Sequence, residues 1–213
     1  MTERLRAALD FASTLFQEDS SGHDMDHTLR VYRTALRLAE EEGADPELTG
    51  LIALLHDVDD VKLFPGTNPG LEHAVSFLRS QEVSEDRISA ICHAIRQISF
   101  AGEDSVVPDT PEGKCVQDAD RLDAIGAMGI ARAFAYGGAH RRRMYDPAQP
   151  PKLHMSGEEY RSSNSTTINH FYEKLLQLES RMNTESARDL AAARTAYMRG
   201  FLEEFFSEWE GKK

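Results

Sequence analysis

Four short stretches of the chain hold the residue types that chemistry needs. Residues 54–60 read LLHDVDD, in which His56, Asp57, Asp59 and Asp60 follow directly on a leucine-rich run. A segment that reads as buried should not end in charge unless something compensates for it. Residues 21–31, SGHDMDHTLRV, offer His23, Asp24 and His27. Residues 116–126, VQDADRLDAIG, offer Asp118, Asp120 and Asp123, and His93 stands in ICHAIRQISF.

Each has a plain reading. His23 is a cap or surface residue near a helix start, and His27 an exposed helical histidine. His93 is a satisfied core histidine on an apolar helix. Asp123 pairs with Arg121 or Arg132. LLHDVDD is then a helix C-terminus meeting solvent, where three acids oppose the negative end of the helix dipole. A cation removes that conflict. One histidine, a His-Asp doublet and an aspartate, each from a separate helix, form a mixed nitrogen and oxygen ligand set. Such a set suits a first-row divalent ion such as Mn²⁺, Fe²⁺, Ni²⁺ or Zn²⁺ better than Ca²⁺. Four protein ligands leave positions open for water and substrate, as catalytic sites require.

The elements that must position these groups are helical nearly throughout. Apolar residues recur at helical spacing over 3–18 and 24–42, and Asp45 with Pro46 starts a helix running into LLHDV. FPGTNPG (64–70) is a loop, followed by a short helix and by another that Ser84 caps. The period predicts one long helix over about 111–136, with Gly126 and Gly129 as sites of close packing. Residues 137–160 form a long proline-marked excursion. Helices over about 164–181 and 184–210 close the chain. The last carries Leu190, Ala193, Tyr197, Phe201, Phe205 and Trp209 as a stripe for core or a dimer surface. No strand-period segment or repeat stands out. The expected fold is all-α: one domain over 1–213, with a metal-binding core at about 20–136 and C-terminal helices at about 164–210.

Bulk composition narrows the partners. There are 24 basic and 36 acidic residues, a net charge of −12, which disfavours an extended nucleic-acid or anionic membrane surface. It leaves room for a small phosphorylated ligand held by a few cations or a metal. Cys92 and Cys115 belong to no C-x-x-C motif and read as buried free thiols in a reducing cytoplasm. The first twenty residues lack the apolar centre of a signal peptide, and no apolar run approaches membrane-span length. The expected location is cytoplasmic.

His27 in GHDMDHTLRV, His56-Asp57 in LLHDVDD and Asp120 in DADRLDAIG resemble the H…HD…D pattern of the HD-domain phosphohydrolase superfamily. DADRLDAIGAMGIARAFAYGG and STTINHFYEKLLQL look like its small stand-alone bacterial branch of predicted hydrolases and nucleotide pyrophosphohydrolases. The resemblance implies an HD-type helical bundle and metal-dependent hydrolysis of a nucleotide or similar phosphate ester or anhydride. It implies His27, His56, Asp57 and Asp120 as ligands of a divalent ion (Mn²⁺, Mg²⁺, Fe²⁺, Ni²⁺, Co²⁺ or Zn²⁺). In HD-domain ppGpp hydrolases an acid four residues after the motif histidine assists catalysis, which points to Asp60.

In that reading Asp60 or Asp24 orients the attacking water, and His93 or His23 donates to the leaving oxygen or contacts phosphate. Lys62 and Arg30 supply positive charge for the phosphate. The run HRRRM (140–144) and Lys174 could add more, although most such charges are solvated. The alternatives are a non-catalytic HD-type sensor binding metal and nucleotide, and a di-iron oxygenase using His93 and His23 as extra ligands. A homodimer is compatible with the sequence.

Overall fold

Seven of the ten residues of the third helix are buried, and that helix organises the first part of the molecule. The computed structural model describes residues 1–16, 25–60, 64, 66–67, 69–100 and 102–213, with the main chain alone at 161. The fold is all-α, with ten α-helices and no strand among the described residues. The chain divides into two compact units, residues 1–100 with 105–120, and residues 101–104 with 121–213.

In the first unit, α1 (Glu3–Leu15) is capped by the Thr2 hydroxyl, which accepts from the Leu5 N–H. Helix α2 (Met25–Glu42) stops at Gly43, whose φ of +70° is left-handed. Helix α3 (Pro46–Leu55) starts as its sequence prescribes, with the Asp45 carboxylate accepting from Glu47 N and Leu48 N. Thr49 to Leu55 are all buried, because α1, α2 and α5 surround the helix. Gly50 permits this. A Cβ there would stand 2.8 Å from Leu5 and 3.1 Å from the Tyr32 ring. Helices α4 (Glu72–Ser80) and α5 (Glu85–Arg96) pack together, and α6 (Pro111–Asp123) brings the unit to Asp120. Ser84 holds the N-cap position of α5 without a side-chain capping bond. Cys92 and Cys115 are buried and free.

The second unit contains α7 (Gly126–Ala139), α8 (Gly157–Ser162), α9 (Thr167–Glu173) and α10 (Glu185–Trp209). Three expectations need correction here. The long helix predicted over 111–136 is broken, because Gly126 adopts φ +73° after an extended Ile125. Gly129 does mark a close approach, since a Cβ there would lie 2.1 Å from Ala124 O. The helix predicted over 164–181 ends at Glu173, where Lys174 leaves helical geometry, and two 3₁₀ turns follow at 175–177 and 179–181. On α10 the buried stripe is Ala187, Ala191, Thr195, Met198 and Leu202, while Tyr197 and Trp209 are exposed. Small and aliphatic residues therefore face the unit's interior in place of the aromatic row. Phe201 still stacks on Phe171 and meets Phe134 edge to face.

The proline-marked excursion is tied to α9. Thr167 N and Ile168 N donate to Arg143 O and Met144 O, Asn169 Nδ2 donates to Gln149 O, and Lys152 N donates to Glu173 Oε1. No helix among the described residues is long and apolar enough to cross a membrane.

Candidate metal centre

The apolar run of α3 drives His56 and Asp57 into the interior of the first unit. His56 Nδ1 lies 2.8 Å from Ala53 O, and because a carbonyl only accepts, Nδ1 carries the proton. That fixes the ring and leaves Nε2 as the atom presented to the cluster. Nε2 is buried, lacks a hydrogen-bond partner among the described residues, and stands 3.2 Å from Asp57 Oδ2.

His27, fully buried on α2, brings its Nε2 to 3.5 Å from Asp57 Oδ2 and 3.4 Å from Asp120 Oδ1. The two imidazoles meet edge to face at 5.5 Å. Ligand atoms of His27, His56 and Asp57 lie within 4.8 Å of one another, a spacing one metal ion can bridge. Asp120 approaches from α6, half-buried, beside His27.

The electrostatics describe a site that wants positive charge. Burial opposes protonation of His56, but the adjacent Asp57 carboxylate and then Asp120 outweigh it and raise its pKa. Burial would push the Asp120 carboxyl up, but its hydrogen bond to His27 and the charges of His27 and His56 bring it down to about 2. The donor set also fits a divalent cation. It offers a presented imidazole nitrogen buried away from water, a second imidazole, and two carboxylates from three different helical segments.

The other acids of LLHDVDD have different work. Asp59 is buried, and its two oxygens accept from His73 N (3.0 Å) and Ala74 N (2.9 Å) at the start of α4. Asp60 is half-buried at the edge of the turn. Of the other residues singled out in the sequence, Arg30 lies three residues after His27 on α2, half-buried. His93 is not drawn into the cluster. It stands exposed on α5 with Nε2 2.7 Å from Asp109, whose carboxylate Gln97 also holds. His23, Asp24 and Lys62 lie outside the described residues.

In the second unit Asp123 pairs with Arg132 at 2.7 Å, one of the two partners its sequence suggested. Arg143 pairs with Asp146, Arg142 lies 5.1 Å over the Tyr136 ring, and Lys174 lies 5.7 Å over the Tyr160 ring. Sequence reasoning missed His73, whose Nδ1 is 2.8 Å from Val58 O. A lone histidine in a short helix gave no signal for it.

A family model described as "HD domain" matches residues 25–125, the span that contains His27, His56, Asp57 and Asp120. A Lactobacillus plantarum protein of known structure is 44% identical, with a TM-score of 0.89 over 99% of each chain. An HD-superfamily hydrolase from Bacillus thuringiensis is 40% identical, with a TM-score of 0.76 over 98% of this chain and 97% of that one. Bacillus subtilis YpgQ, solved in complex with ADP, is 35% identical, with a TM-score of 0.74 over 94% of this chain and 97% of that one. With the family model matching residues 25–125 and relatives of 35–40% identity covering nearly the whole chain, the chain is a member of the HD-domain phosphohydrolase superfamily.

Proposed function

We propose that this protein is a divalent-metal-dependent phosphohydrolase acting on a nucleotide or a similar small phosphate ester or anhydride. The observation that carries the reading is the convergence of His27, His56 and Asp57 within 4.8 Å, with Asp120 3.4 Å from His27. These four residues would hold the ion, and the ADP seen with YpgQ supports a nucleotide as ligand.

A bound divalent ion would supply a water of lowered pKa and neutralise charge on a phosphoryl oxygen. The chain's own groups do the rest. The proton on His56 Nδ1 stays with Ala53 O, so the ring keeps one orientation through turnover. Asp60, at the edge of the ligand-bearing turn, orients the attacking water and takes its proton. Arg30, one turn beyond His27, offsets phosphate charge. Asp60→Ala should retain the metal and slow turnover by roughly 100-fold or more, the usual size of a general-base contribution. Metal loss in that variant would make Asp60 a ligand.

The test of the function is release of phosphate and pyrophosphate from a nucleotide panel, run with each divalent metal. Turnover that chelation abolishes is expected. Tight metal and nucleotide binding without turnover would make the protein a sensor module.

A further inference from the structure

Asp59 is an acid two residues past a proposed ligand, yet both its oxygens face main-chain N–H groups of α4. The same helix returns a bond to the turn, because His73 Nδ1 donates to Val58 O at 2.8 Å. Three hydrogen bonds therefore join residues 58–59 to residues 73–74, across fourteen or fifteen positions of sequence.

The start of α4 is shaped for this contact. Its N-cap residue, Leu71, is buried in the left-handed region at φ +51° and makes no side-chain capping bond. A leucine in that conformation is strained and persists only where surrounding structure enforces it. Asp59 supplies the cap that Leu71 does not, and its charge suits the positive end of the helix dipole. Phe64 meets the His73 ring edge on, at 4.9 Å and 88°, and holds its plane.

We propose that Asp59 and His73 are positioning residues for the metal centre. They form a brace that fixes the turn after His56-Asp57 so that the Asp57 carboxylate and His56 Nε2 keep their mutual geometry. The proposal rests on the reading of His27, His56, Asp57 and Asp120 as metal ligands. His56 and His73 share one device, a ring whose Nδ1 proton is locked on a main-chain carbonyl. At His56 that lock orients a ligand. At His73 it orients the turn that carries the ligand. Direct hydrogen-bond partners of metal ligands typically contribute about 10–100-fold to metal affinity. Asp59 and His73 act one step further out, through Val58, the residue next to Asp57.

The test is Mn²⁺ titration of the metal-free full chain, for the wild type, His73→Phe and His73→Asn, with thermal unfolding of each metal-free protein alongside. Asparagine keeps a donor near the position of Nδ1, whereas phenylalanine keeps the packing on Phe64 and loses the donor. His73→Phe removes the bond to the buried Val58 carbonyl, so its metal-free unfolding should fall modestly, but its Mn²⁺ binding should weaken at least tenfold. His73→Asn should bind within about threefold of wild type. A purely structural ring would reverse that order. Wild-type affinity in His73→Phe, or equal losses in both variants, would overturn the brace. A wild-type chain that binds no Mn²⁺ or other divalent ion would overturn the metal reading itself.

Discussion

Two buried acids show what separates a site from a scaffold. Glu173, in the second unit, is 6% exposed, and its Oε1 accepts from Lys152 N at 3.0 Å and from the Ser165 hydroxyl at 2.8 Å. Asp57, in the first, is 7% exposed, and its Oδ2 faces the Nε2 atoms of two buried histidines. Glu173 is answered by donors that have no alternative role. Asp57 faces groups that are themselves ligand types, so the same burial that stabilises one region gathers in the other a set of groups that could hold a cation. Burial of charge alone therefore does not mark a site; what marks it is the kind of group brought to meet the charge.

The sharpest way to break that comparison is Asp57→Ala. It should abolish metal retention and hydrolysis together, read as metal content after gel filtration and as phosphate release. A variant with full activity would remove the cluster from the chemistry. Glu173→Ala should do the reverse. It leaves the buried Ser165 hydroxyl without its acceptor, and a buried unsatisfied group costs about 1–3 kcal/mol, whereas the Lys152 N–H, on an exposed residue, can turn to water. Denaturant unfolding should report that loss, while Mn²⁺ affinity stays at the wild-type value. A fall in metal affinity would mean that Glu173 serves the site as well.

What the sequence made legible follows the same division. His27, His56 and Asp57 could be singled out because their local contexts resemble the H…HD…D pattern of a known family, which their residue types alone would not have selected. Asp59 could not, since its partners are main-chain N–H groups fourteen and fifteen residues away, which no side-chain pattern announces. The break was hidden because helical spacing continues on both sides, while the backbone leaves the helix after Asp123, with Ile125 extended and Gly126 at positive φ. Of the two readings of the α10 stripe, core or dimer surface, the core one fails at Tyr197 and Trp209, to which size drew attention. Close packing selected Ala187, Ala191 and Met198 instead.

A smaller effect comes from the cluster's own titration in the metal-free chain. His56 has a raised pKa, so its contribution is fully present below its ordinary 6.5 and is lost as pH rises through the folded value. Asp120 is lowered from 3.8 to about 2, so its contribution is present above 3.8 and is lost as pH falls through the folded value. The cluster therefore favours the metal-free fold most between these limits. A divalent ion must displace the proton that a raised pKa holds on His56 Nε2, so saturating Mn²⁺ should raise Tm more at about pH 8 than at about pH 6. The opposite order in a thermal shift series would show that the imidazoles are not the binding groups.

The smallest effect is expected at His93, and it sharpens the comparison because His93 is itself a histidine paired with an acid. Its side chain is 57% exposed and that of Asp109 is 62% exposed, so water and salt screen their 2.7 Å contact. Gln97 also donates to Asp109, so the carboxylate keeps a partner when the imidazole is removed. Hydrogen bonding to His93 and then to Gln97 lowers the Asp109 pKa, which reports a stable carboxylate at the surface. His93→Ala should leave phosphate release within about twofold of wild type and metal affinity unchanged, as for other exposed pairs. A tenfold fall in turnover at constant metal content would place His93 in the chemistry. Exposure and a competing acid would then no longer suffice to tell a surface His-Asp pair from a site.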